Sequence, residues 1–280
     1  MISLPSVICN MFASATPIAL AGVGGMFGER SGITNIGLDG TMLFAAFTAV
    51  TACYYTGSPW IALLAGILSG VLVSFLHAYF CISLKVDQTI IGLAVNILAA
   101  SVTVYASSSI FGNKGFTPSV TKLPNISIPG LRDLPVVLLA HYLLYKTPFG
   151  MRTIAVGQNP QAAFVAGVNV KKTQYIAVML GGLTCGMAGA YLSISYLSMF
   201  VRDMVSGRGF IAIAAILFGR YSPFGIFAAA LFFGLADAMQ IALQGIVTIP
   251  NEVIQCAPYL LTILAVTVNE ARTMRRSGIK

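Results

Sequence analysis

Residues 59–82 read PWIALLAGILSGVLVSFLHAYFCI, a stretch with no Asp, Glu, Lys or Arg in it. An α-helix rises about 1.5 Å per residue, so about 20 apolar residues cross a hydrocarbon core about 30 Å thick. The stretch is long enough to span a membrane as one helix. Windows of similar character recur at 4–27, 36–56, 88–111, 173–198, 222–244 and 251–269. Two weaker windows lie at 134–145, which is short, and at 210–219, which follows Ser206, Gly207, Arg208 and Gly209. Short or glycine-interrupted segments survive at membrane depth only where protein or a cavity satisfies their backbone. The expected fold is an all-α polytopic membrane protein of about 8–10 transmembrane helices, with interrupted or re-entrant segments, in a single transmembrane domain over residues 1–280.

Composition agrees with that reading. Hydrophobic residues make up 57% of the 280 positions and charged residues 9%, where a soluble domain carries about 25% charged residues. Mean hydropathy is +0.87. The net charge of +8 does not mark a nucleic-acid partner, because the basic residues sit at the ends of apolar runs and form no stripe. Lipid is the expected surrounding. Cys9, Cys53, Cys81, Cys185 and Cys256 lie in or beside apolar segments without C-x-x-C or zinc-type spacing, and read as packing residues. The first apolar window has no Lys or Arg ahead of it, so it reads as a retained span and not as a cleaved signal peptide.

With nine crossings and the C-terminal Arg275, Arg276 and Lys280 placed in the cytoplasm, parity assigns every loop. Eleven of the Lys and Arg residues then fall inside, and five, Lys114, Lys122, Arg132, Arg202 and Arg208, fall outside. This is the bias of the positive-inside rule, and it puts the N-terminus outside. The segment 112–133, with Pro118, Pro124 and Pro129, becomes an external loop, either a plain connector or a surface for a substrate-delivering protein.

Three stretches interrupt the apolar pattern. The first, GERSGITNIGLDG at 28–40, sets four glycines and three charges directly before an apolar window. Glycine lets backbones break and approach closely, and Asn35 and Asp39 can bond freed amides; an ordinary inner loop with a helix cap is the competing reading. The second, TPFGMRTIAVGQNPQAAFVAGV at 147–168, lies in the inner loop of about 146–172 and holds a complete set of short-helix signals. Asn159 can cap, Pro160 suits the first helical position, and Gly167 suits the left-handed residue past the end. Ala162, Ala163 and Ala166 share a face, a smooth patch for another protein. So short a helix is marginal alone in water, which predicts that it docks. Gly157, Asn159, Pro160, Ala162, Ala163 and Gly167 are the candidate coupling residues. The third stretch, MVSGRGFIAIAAILFGR at 204–220, again puts glycines and charge before a short apolar run. Paired interrupted segments point to a transport pathway near their interface.

These stretches resemble the permease subunits of nucleoside and simple-sugar ABC importers, a branch related to the branched-chain amino acid and ribose permeases. The family pattern E-R-x-G-x-x-N-I-G-x-E-G matches Glu29 to Gly40, with Asp39 in place of the usual Glu. The pattern T-x-x-G-x-x-x-x-A-x-G-x-N-P-x-A-A-x-x-x-G-x-x-V matches Thr147 to Val170, and G-R-G-F-I-A-x-A-x-x-x-F-G matches Gly207 to Gly219. Window 134–145 is shorter than the family's usual fifth span, and the chain is at the family's small end. The resemblance implies a pore formed with a second homologous permease subunit, a cytoplasmic ATP-binding subunit that drives it, an extracytoplasmic substrate-binding protein that feeds it, and residence in the bacterial cytoplasmic membrane. Consistent with a separate ATPase, no G-x-x-x-x-G-K-[ST] occurs in the chain.

Polar residues inside spans are the remaining signal, since an Asp at the bilayer centre costs about 2.5–3.5 kcal/mol on insertion scales. Asp237, Gln240 and Gln244 form one helical stripe, and Asn96 is mid-window. Asn35, Asp39, Asn96, Asp237 and Gln240 are therefore the candidate pathway residues, with holding helices together as their alternative role. His77 and His141 lack an acidic partner at helical spacing and read as packing residues. An intramembrane hydrolase would need a nucleophile and base or paired acids, and none presents itself. An ion-coupled secondary transporter using Asp237 or Asp39 is the stronger rival; it would need no docking helix. No cofactor is expected.

Overall fold

The structure, a computed structural model, describes residues 4–113, 115–123 and 134–243. The window at 251–269, the tail cations, Gln244, Cys256, Lys114, Arg132, Pro124 and Pro129 lie outside the described residues. The helices are α1 (Leu4–Arg30), α2 (Leu38–Thr56), α3 (Pro59–Ala78), α4 (Gln88–Phe111), α5 (Leu134–Lys146), α6 (Pro148–Gln158), α7 (Pro160–Val165), α8 (Val170–Ala190), α9 (Arg208–Phe218) and α10 (Pro223–Leu243). Wider π-helical turns prolong α3 over Tyr79–Ser83 and α8 over Tyr191–Leu197. Among the described residues the only strand-like pairing is an isolated antiparallel bridge between Phe116 and Val201.

Local chemistry places the boundaries. Gly57, with φ of 67°, ends α2, and Pro59 opens α3 two residues later. Asp87 caps α4 by accepting from the Thr89 and Ile90 amides, and Gly112 closes it in the left-handed conformation. Among the described residues, five helical stretches are long and apolar enough to cross a membrane: Ser6–Arg30, Pro59–Ser83, Gln88–Phe111, Val170–Leu197 and Pro223–Ala242. The expected windows at 134–145 and 210–219 are helices of 13 and 11 residues, and at about 1.5 Å per residue an 11-residue helix reaches about halfway through a bilayer core.

The chain divides into two compact units, Met1–Ala15 with Leu231–Lys280, and Thr16–Ala230. In the first unit Gly234 lies against α1, where an added Cβ would come within 2.5 Å of the Met11 carbonyl oxygen. In the second, α2 is the central helix and buries Met42, Ala45, Ala46, Ala49, Val50 and Cys53. Beside it α3 and α8 cross in antiparallel sense through small residues. Gly66, Gly70 and Ser74 recur every fourth position on α3, and Gly182, Gly186 and Ala190 do the same on α8. A Cβ at Gly70 would lie 2.5 Å from the Gly182 carbonyl oxygen and 2.8 Å from the Gly186 Cα, and one at Gly186 would lie 2.7 Å from the Gly66 carbonyl oxygen. Backbone thus packs on backbone, the arrangement that favours helix association where no hydrophobic drive exists between helices in lipid. The opposite face of α3 carries Leu64, Leu68 and Leu72 outward, as lipid requires.

Candidate functional site

The polypeptide between α1 and α2 is a break that other helices repair. Four amides at a helix start have no intrahelical partner, and a break within a membrane protein exposes more. Asn35 folds back so that its Oδ1 accepts from the Gly37 amide at 2.9 Å. Asn96, from α4, inserts its carboxamide into the gap: Oδ1 accepts from the Gly40 amide at 2.7 Å, and Nδ2 donates to the Ile36 carbonyl at 3.1 Å. Gln88 Oε1 accepts from the Thr34 amide at 2.7 Å, and Gln174 Nε2, from α8, donates to the Ser31 carbonyl at 3.2 Å. Side chains from two other helices therefore replace the hydrogen bonds that a continuous helix would make. Close approach makes this possible, because a Cβ at Gly40 would lie 2.8 Å from the Val95 carbonyl oxygen.

The first and third interrupted stretches meet. Asp39 Oδ1 accepts from the Gly209 amide at 2.9 Å, across 170 residues of sequence. Gly209 is the second residue of α9, so the carboxylate sits at the positive end of that short helix. A side chain at 209 would overlap the Asp39 backbone. The turn ahead of α9 holds Asp203, Ser206 and Gly207 at φ of 55°, 49° and 76°, and Arg208 Nη1 donates to the Met204 and Val205 carbonyls. At the other end of α9, Arg220 and Tyr221 are both left-handed, with φ of 50° and 55°. Arg30 reaches this turn, donating to the Tyr221 carbonyl from Nε at 3.1 Å and Nη2 at 2.9 Å.

The second stretch folds as its cap residues dictate. Thr147 caps α6 by accepting from the Gly150 amide. Asn159 caps α7 by accepting from Gln161 and Ala162 at 3.1 and 3.0 Å, with Pro160 in the first turn. Gly167, at φ 81°, closes α7 with the paired bonds Gly167 amide to Phe164 carbonyl and Val168 amide to Ala163 carbonyl, a Schellman motif. One detail differs from the sequence expectation. Ala163 is 5% exposed, turned into its own chain, so Ala162, Ala163 and Ala166 do not form one outward patch. What α7 presents outward is Phe164 and Val165, 72% and 87% exposed. They border an open groove of about 840 Å³ with Val168, Val170 and Lys171. Gly157, at the end of α6, lies on the main chain of the first stretch, where a Cβ would overlap the Arg30 carbonyl oxygen.

Asn35, Asp39 and Asn96 are thus brought together at one break. Asn35 is buried, Asp39 and Asn96 are half-buried, and each spends an oxygen on a backbone amide. Asp237 and Gln240 lie on α10 in the first unit, both half-buried. His77 is 1% exposed with its Nε2 at 3.5 Å from Cys81 Sγ, and His141 packs against Tyr145 and Phe224. Gln88, Gln174 and the α3–α8 glycines are not among the candidate residues of the sequence, and Arg30 enters there only as a member of the first stretch, with no partner assigned. Two of these carry a visible mark: the glycines by their four-residue spacing and Arg30 by its place in the E-R-x-G pattern.

Comparison with known proteins supplies an independent line. The model of the family described as branched-chain amino acid transport system / permease component matches residues 7–266. The guanosine ABC transporter permease protein NupQ of Bacillus subtilis (strain 168) is 38% identical, covering 95% of this chain and 92% of that protein. The nucleoside ABC transporter permease protein NupC of Lactococcus lactis is 34% identical, covering 99% and 96%. TsgC13 of Haloferax volcanii, a protein assigned the role of a glucose ABC transporter permease, is 34% identical over 83% of this chain and 76% of its own. Among solved structures, an ABC transporter assigned to the metal-chelate type, in an inward-facing conformation, shares the fold at TM-score 0.55 and 16% identity, covering 94% of this chain and 85% of that one.

Proposed function

The chain belongs to the family of permease components of branched-chain amino acid transport systems, and from that premise we propose that it is the membrane-spanning subunit of an ABC importer for nucleosides. Relatives named for guanosine and nucleoside transport align over nearly the full length of both chains, whereas the glucose relative covers less of each; simple sugars are the second substrate class. The subunit holds no ATPase site of its own. It works with a cytoplasmic ATP-binding subunit, a second homologous permease and an extracytoplasmic substrate-binding protein, in the cytoplasmic membrane of a bacterium.

One observation carries the docking half of this reading: a short helix, capped at both ends by its own sequence, that holds Phe164 and Val165 out of the chain. Phe164 and Val165 continue into Val168 and Val170 along one groove edged by Gln161, Asn169 and Lys171, and a contiguous exposed apolar patch with a polar rim marks an interaction site. Lys171, Lys172 and Arg152 flank it and place it on the cytoplasmic side by the positive-inside rule. A secondary carrier has no use for such an element. In this reading Gly157, Asn159, Pro160, Ala162, Ala163 and Gly167 shape the coupling segment. Asn35, Asp39 and Asn96, which satisfy the backbone of the break, are pathway residues of the larger unit, and Asp237 and Gln240 on α10 are pathway residues of the smaller one.

The test is retention of the ATPase by the purified permease, with nucleoside uptake measured in parallel. Phe164→Ser with Val165→Ser removes the apolar tip and leaves buried Ala163 in place. The expected result is a folded permease that neither retains the ATPase nor transports. Equal recovery of ATPase and equal uptake would refute the docking assignment. Binding of a nucleoside and sugar panel to the partner binding protein decides the substrate class.

A further inference from the structure

We propose that Arg30 is the positioning residue through which displacement of the α6–α7 docking segment reaches the turn between α9 and α10. The inference rests on the docking role proposed above and goes beyond it. It names the link between that segment and the interrupted helices.

Arg30 is held on two sides. Its main chain lies directly beneath Gly157, with no side chain between them, since a Cβ at 157 would overlap the Arg30 carbonyl oxygen. Its side chain extends the other way, and both Nε and Nη2 donate to one acceptor, the Tyr221 carbonyl, at 3.1 and 2.9 Å. The guanidinium carbon also lies 5.7 Å from the centre of the Tyr221 ring, within reach of a cation–π attraction. Three contacts thus fix a single arginine to a single residue 191 positions away. A push on α6 meets backbone first, and backbone-on-backbone contact does not cushion displacement as flexible side chains do.

The receiving turn is suited to respond. Arg220 and Tyr221 are consecutive non-glycine residues in the left-handed region, a conformation that persists only where surroundings over-determine it. Local bonds from the Arg220 amide to Leu217 and from the Tyr221 amide to Ile216 hold one side, and the Arg30 fork holds the other. Moving Arg30 therefore loads or releases a strained turn that joins α9 to α10. α9 in turn carries at its far end the Gly209 amide bonded to Asp39, so both ends of this helix are tied to the first interrupted stretch. Lysine cannot substitute, because an ammonium is a point donor on a flexible stem whereas the guanidinium presents a rigid fork.

The experiment uses the complete importer in proteoliposomes, with ATP hydrolysis and nucleoside uptake measured together. Arg30→Lys is expected to retain the ATPase and its basal hydrolysis but to lower uptake per ATP hydrolysed roughly fivefold or more. Gly157→Ala should uncouple from the other side, and the double variant should be no worse than either single one, as expected for residues in one linkage. A purely structural role predicts less assembled complex with an unchanged ratio of uptake to hydrolysis, and that result would overturn the proposal. A second measurement needs no variant. In the wild-type complex, hydrogen exchange of residues 219–222 should change with nucleotide together with that of 157–165; a response at 157–165 alone also overturns it. If the wild-type permease retains no ATPase, the docking reading fails, an outcome separate from both.

Discussion

Replacing Asn96 by leucine removes two hydrogen bonds while nearly conserving volume, so its effect measures what the carboxamide does in the break. The Gly40 amide, among the first residues of α2 and without a helical partner, loses its acceptor at 2.7 Å, and the Ile36 carbonyl loses its donor at 3.1 Å. Leaving one buried polar group unsatisfied costs about 1–3 kcal/mol, so the pair costs on the order of 2–6 kcal/mol. Against a total stability of about 5–15 kcal/mol this is large, and the apparent melting temperature of the detergent-solubilised permease should fall by several degrees. Ile97→Ala is the control, since Ile97 is the next residue of α4 and faces outward; it should melt close to wild type. Thermal stability read by size-exclusion chromatography, with uptake measured on the same preparations, checks the reasoning. Asn96→Leu melting with the wild type would refute the backbone-repair role. If uptake were nevertheless lost, Asn96 would act on the pathway alone.

Three further outcomes are expected. Gly70→Leu places a side chain where even a Cβ comes within 2.5 Å of the Gly182 carbonyl oxygen, so α3 and α8 must separate; folded yield should collapse, whereas Leu68→Ala on the outward face of α3 should be tolerated. Asp39→Asn keeps an oxygen for the Gly209 amide and should retain most stability, while Asp39→Ala should lose about 1–3 kcal/mol, measured by the same melting assay. Asp237→Asn should leave ATP-driven uptake intact and insensitive to proton or sodium gradients; loss of uptake with normal assembly would revive the ion-coupled alternative.

The sequence made some of this legible and hid the rest for physical reasons. The α7 signals are local: Asn159, Pro160 and Gly167 each act within a few residues, so their roles could be read without knowing the fold. The face of α7 was not local. Whether Ala163 or Phe164 points outward depends on which side of α7 the rest of the chain covers, and helical spacing carries no information about that. The joining of Asn96 to Gly40 and of Asp39 to Gly209 spans 56 and 170 positions, and neither pair has a spacing that marks it. The suggestion that the first and third stretches approach each other rested on their shared character of glycine and charge before an apolar run. The glycines of the α3–α8 crossing were visible as a four-residue repeat, but such repeats gain meaning only when two helices can be paired.

The double capping of the α6–α7 segment sets the thermodynamics of the docking proposed for it. Fixing one residue's backbone costs about 1–2 kcal/mol at 25 °C, and a disordered docking loop would incur that cost at the moment of association. Here Thr147, Asn159 and the Gly167 turn order the segment beforehand, so a partner meets a surface that has already lost its freedom. Association should then show little unfavourable conformational entropy and proceed as a near rigid-body encounter, with affinity set by how well the partner receives Phe164 and Val165 and not by how readily the loop can be folded.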